Sequence, residues 1–133
     1  MGTVVVGYVP KPEGDAALHR AVDEARLRGS KLVVVNSHRG GPDFDDEASV
    51  QAEHDMQTVR AVLDGSGVDY DVRQLVPGFE PAEDLLSIAE ANDAELIVIG
   101  LRRRSPVGKL ILGSNAQRVL LDAHCPVLAV KAD

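Results

Sequence analysis

Five short runs of aliphatic and β-branched residues, separated by stretches with helical periodicity, constrain this chain more than any other feature. The first, TVVVGYV (Thr3–Val9), is apolar almost without interruption, as a strand covered on both faces must be. KLVVVNS (Lys31–Ser37), ELIVIG (Glu95–Gly100) and PVLAVK (Pro126–Lys131) follow the same pattern, whereas DYDVRQLV (Asp69–Val76) alternates more and suits a strand nearer an edge. Between the first two runs, Leu18, Ala21, Val22 and Ala25 fall at i, i+3, i+4 and i+7, the apolar stripe of a surface helix. Gly29 stands where that helix should end. Ala52, Met56, Val59 and Leu63 mark a second helix, and Leu85, Ile88 and Ala89 a third that opens near Pro81. A fourth, over Ser114–His124, puts Ala116, Val119, Leu120 and Ala123 on one face. Strands alternating with amphipathic helices imply a parallel sheet with right-handed crossovers. The fold class expected is α/β: a single doubly wound domain over residues 1–133, with a five-stranded parallel sheet in the order 3-2-1-4-5 and helices on both faces.

Composition removes several kinds of function. The net charge is −7, which disfavours general binding to DNA or to an anionic membrane. Aromatic residues make up 3% of the chain and tryptophan is absent, so a stacking platform for single-stranded nucleic acid is not expected either. No apolar run approaches the roughly 18 residues of a membrane span, and none resembles a signal-peptide core. The single cysteine, Cys125, rules out an internal disulfide framework and a cysteine-based zinc cluster, and the reducing cytoplasm is the compartment expected.

In a sheet of this order the ligand crevice lies at the carboxyl ends of strands one and four, where the winding reverses. The two segments that reach it are VPKPEG and GLRRRSPVGKLILGS. Arg102, Arg103, Arg104 and Lys109 crowd the second, with no acidic residue between Gly100 and Val119. Gly100 lets the chain turn, and Ser114 with Gln117 forms the S-x-x-Q pattern of a capping box. A helix start of this kind offers free N–H groups and a partial positive charge to an anion, so phosphate is a natural guest. The same residues also suit a second reading, a capped helix preceded by a solvated arginine turn. Two other phosphate loops do not fit. Seven residues, not four, separate Gly100 from Gly108-Lys109, and Leu110 follows where a Walker loop has Ser or Thr. GYVPKPEG after strand one is not a dinucleotide G-x-G-x-x-G.

The segment GLRRRSPVGKLILGSNAQRVLLDAHCPVLAVK resembles the carboxyl-terminal signature of the universal stress protein family: Gly, two residues, Gly, nine residues, Gly, then Ser or Thr. Gly100, Gly113 and Ser114 fit that frame, CPVLAVK is similar to the family's final strand, and VPG (Val76–Gly78) and ELIVIG also match. The resemblance implies a stress-response regulator that binds an adenine nucleotide of the ATP or AMP type between strands one and four. It implies Gly100, Arg102, Gly113, Ser114 and Asn115 around phosphate and ribose, with Gly7, Val9 and Ser37 near the base. A divalent cation would enter only with the nucleotide. Two positions depart from the pattern: Arg103 stands at the second glycine, and Val9 stands at an aspartate and cannot accept a hydrogen bond. Those departures motivate the alternative, a non-nucleotide-binding dimeric interaction protein of the same fold.

The family commonly dimerises through its last strand, so the resemblance also implies a homodimer formed by Pro126–Lys131, an apolar edge of the kind that invites pairing. Pro126 and Lys131 equally suit a short, blunted edge. Cys125 reads as a buried, inert thiol. DFDDE (Asp43–Glu47) reads as an acidic helix start rather than a cation site. The four histidines lack metal-ligand spacing, and no Ser-His-Asp, Cys-His or paired-carboxylate set is readable in the crevice segments. Any hydrolysis of ATP is expected to be weak at most.

Overall fold

The computed structural model describes residues 2–36, 46–74, 81–102 and 113–132, with the side chains of 46–53, 55 and 74 left aside. Their elements run β1 (Thr3–Tyr8), α1 (Pro12–Arg28), β2 (Lys31–Asn36), α2 (Asp46–Asp64), β3 (Tyr70–Gln74), α3 (Pro81–Ala91), β4 (Leu96–Arg102), α4 (Ser114–Asp122) and β5 (Val127–Ala132). The strands form one sheet in the order β3-β2-β1-β4-β5, and every pairing is parallel. β1 pairs with β2 from Thr3↔Lys31 to Tyr8↔Asn36, and with β4 through Val4↔Leu96, Val5↔Ile97 and Val6↔Val98. The fold class read from the alternation of periods is the one observed.

The two-residue repeat of a strand divides the central residues between two cores. Val4, Val6, Leu32, Val34, Leu96 and Val98 pack with Leu18, Ala21 and Val22 of α1 and Met56, Val59 and Leu63 of α2. Val5, Val33, Val35, Ile97, Ile99 and Leu101 pack on the opposite face with Ala82, Leu85 and Ala89 of α3 and Val119 of α4. Full removal of each Val or Leu side chain from water contributes about 1.5–3 kcal/mol, which explains why the middle strands are almost wholly aliphatic. β5 is an edge strand, and its apolar residues are only partly buried.

The ends of the helices explain how the chain enters and leaves the sheet. Pro12 opens α1, where its missing N–H costs nothing, and Glu13 and Asp15 put acid in the first turn. Gly29 closes it at φ 63° and ψ 33°, the left-handed conformation that a side chain disfavours. Most strand and helix ends shift by a residue or two from the sequence reading, and three differences matter for the site or the core. β4 continues to Arg102 because Gly100, Leu101 and Arg102 go on pairing with Val130, Lys131 and Ala132. The α4 cap is Gly113, with φ −69° and ψ 163°, whose carbonyl accepts the Gln117 N–H at 3.0 Å. Ser114 is therefore the first helical residue, and the expected capping box is one residue out of register. Leu120 lies 38% exposed at the edge of α4 instead of within its buried stripe.

Candidate functional site

Gly7, Val9, Gly100, Arg102, Gly113, Ser114 and Asn115 all line one cleft, of about 730 Å³, at the carboxyl ends of β1 and β4. That volume falls in the ordinary range for a small-molecule site, and the position is the switch point expected of this topology. Ser37 and Arg103 lie outside the described residues. The turn after β1 supplies one wall, with Val9, Pro10, Lys11 and Glu13. The start of α3 supplies another, with Pro81, Ala82 and Leu85, and the first turn of α4 supplies a third.

Glycine makes the cleft possible at two points. A Cβ on Gly100 would lie 2.6 Å from the Glu13 carbonyl carbon and overlap its oxygen. A Cβ on Gly14 would lie 2.7 Å from the Val9 carbonyl carbon and 2.8 Å from the Val9 nitrogen. The start of α1 therefore rests directly on the ends of β1 and β4, backbone against backbone. Gly7 has more latitude, since the nearest atoms a Cβ there would meet are side-chain atoms of Leu85, at 3.2 Å, and Ile99, at 3.9 Å.

The electrostatics favour an anion at one end. Gly113 through Asn115 present the N-terminus of α4, whose first N–H groups have no helical acceptor. Arg102, at the end of β4, lines the same cleft, is exposed and forms no ion pair with a described residue. Arg118 ties α4 to α3 through Glu83 at 2.8 Å and also meets Asp122 at 3.7 Å. Such an exposed pair adds little stability, and Val119 in the core anchors α4. Ile99, Leu85, Ala82 and Val119 make the α3, β4 and α4 side of the lining apolar, while Lys11 and Glu13 add charged groups at the turn after β1 and the start of α1.

One residue of the cleft escaped the sequence reading, which found no carboxylate of note in the crevice segments. Glu13 is 9% exposed, and its Oε2 atom is buried without a hydrogen-bond partner among the described residues. Its only sequence signal is indirect: Gly14 follows it, and Gly100 sits where α1 must come close. Elsewhere, Cys125 is half-buried against the core beneath α4, and burial holds its thiol above the ordinary range. Less thiolate is then present at neutral pH, which fits the inert reading. Among the described residues no group of three potential metal ligands occurs, and no helix is long and apolar enough to cross a membrane.

A doubly wound parallel sheet with a cleft at its switch point defines the class of α/β domain to which the chain belongs. Residues 1–131 match the universal stress protein family, and the chain belongs to it. It is 46% identical over 128 residues to a universal stress protein of Mycolicibacterium smegmatis, covering 96% of each chain. Among solved structures, a universal stress protein of Archaeoglobus fulgidus superposes with a TM-score of 0.81 at 38% identity, over 98% of both chains. A second structure from that organism, a universal stress protein in complex with dAMP, gives 0.75 at 32% identity with the same coverage.

Proposed function

We propose that this chain is a nucleotide-responsive regulator of the cytoplasm that holds an adenine nucleotide in the cleft between β1 and β4. The observation that carries this reading is that Arg102 and the α4 N-terminus line the same cleft as the apolar residues Leu85, Ile99 and Val119. The phosphate takes the α4 N–H groups and the Arg102 guanidinium, and the sugar and base extend along the apolar lining towards Gly7 and Val9. Val9 supplies surface but no acceptor, so recognition of the base on that side rests on shape. The relative that holds dAMP, similar over its whole length, supports the ligand class. A divalent cation enters on the nucleotide's own phosphates. Occupancy of the cleft, not turnover, is the proposed signal. Calorimetric titration with AMP tests this: one saturable site per chain is expected, and the absence of saturable heat would favour a non-nucleotide-binding dimeric interaction protein of the same fold.

Two copies are proposed to pair along β5, whose outer edge and half-buried Leu128 and Val130 would be covered by a second strand. Sedimentation should give a dimer that Val130→Lys dissociates. A wild-type monomer at tens of micromolar would count against the pairing.

A further inference from the structure

The cleft contains a group that neither an anion-binding helix start nor an apolar lining explains. Glu13 lines it, is nine-tenths buried, and leaves Oε2 with no partner among the described residues. A buried acceptor left unsatisfied is costly, so it calls for a partner. Because a glutamate's last torsion is broad, either carboxylate oxygen can turn towards the cleft.

The chemistry of the neighbouring group follows from charge and distance. A carboxylate accepts hydrogen bonds and repels phosphate, so it must face a neutral donor. Glu13 packs on Gly100, two residues before Arg102 on β4. Along a strand that separation is about 7 Å, comparable with the reach from a 5′-phosphate across its sugar. The amine of adenine lies at the far end of the nucleotide, whereas the ribose hydroxyls lie within this span. Two vicinal hydroxyls also match the two oxygens of one carboxylate.

We propose that the Glu13 carboxylate accepts hydrogen bonds from the ribose hydroxyls of the bound nucleotide, so that the cleft selects ribonucleotides by their sugar. The proposal rests on the nucleotide reading above and adds to it the residue that sets sugar preference. It also explains why an unpaired acid is kept against the body of the sheet: the ligand supplies its partner.

Calorimetry with AMP and 2′,3′-dideoxy-AMP tests it in the wild type and in Glu13→Gln, Glu13→Ala and Glu13→Leu. A hydrogen bond to a charged group corresponds to roughly tenfold or more in affinity. The wild type should therefore prefer AMP at least about tenfold, and Glu13→Ala and Glu13→Leu should bring the two ligands to near equality. Glu13→Gln, which keeps the shape and one acceptor, should fall between. The melting temperature of each ligand-free variant should match or exceed the wild type's, since removal of a buried unpaired carboxylate relieves a cost. A preference that survives in Glu13→Ala, equal binding of the two ligands by the wild type, or an equal loss of both in the variants would overturn the proposal. Failure of the wild type to bind AMP at all would instead overturn the nucleotide reading on which it rests.

Discussion

Gly100→Ala is expected to cost about 3 kcal/mol or more of unfolding free energy and to abolish ligand binding, because a single methyl group must displace the start of α1. The atoms it would strike belong to the Glu13 backbone, which cannot swing aside as a flexible side chain does. Overpacking at such a point typically costs about 1–3 kcal/mol, and here the displaced segment is also a wall of the cleft. Gly14→Ala should behave similarly, although alanine's better helix propensity returns up to about 1 kcal/mol. Gly113→Ala is the contrast. Its backbone is in ordinary extended conformation and no described atom lies within 4 Å of the added carbon, so the loss should stay near 1 kcal/mol, the difference between a glycine and an alanine cap. Denaturant unfolding of the three variants checks the ordering. A Gly100→Ala protein as stable as the wild type would mean that α1 does not rest on β4.

Arg102→Ala should reverse that pattern, leaving stability unchanged and weakening AMP about tenfold to a hundredfold. The side chain is exposed and forms no ion pair with a described residue, so folding has little to lose. A charge-assisted bond to phosphate is worth about 1.5–3 kcal/mol, which sets the range. The loss should be larger for ATP than for AMP, and the wild type's affinity should fall more steeply with added salt than the variant's. Calorimetry at two ionic strengths measures both. An unchanged affinity would place the phosphate away from the end of β4.

The parts of the fold that could be read from sequence are those fixed by repetition. Three consecutive fully buried valines in β1, and the heptad-like spacing of Leu18, Ala21, Val22 and Ala25 in α1, are redundant signals that no single residue can overturn. Gly7, Val9, Gly100, Arg102, Gly113, Ser114 and Asn115 converge because the topology places the ends of β1 and β4 together, and that topology was legible. Single-residue decisions were less so. Gly113 and Ser114 are both good cap residues, and the S-x-x-Q pattern favoured the wrong one; only the extended backbone of Gly113 decides it. Leu120 sits at the margin of a helical stripe, where half a turn separates core from solvent. Glu13 was missed because an acid in a helix's first turn is ordinary, and its isolation comes from Gly100, which lies far away in sequence.

The most direct measurement is an amide-resolved NMR titration of the labelled protein with AMP. Saturable shifts should concentrate on Gly7, Gly100, Arg102, Ser114 and Asn115, with β3 and the far end of α1 unaffected. Amides at the β1 and β4 ends that stay still at millimolar AMP, or saturable shifts confined to another surface, would contradict a nucleotide site at the switch point of this sheet.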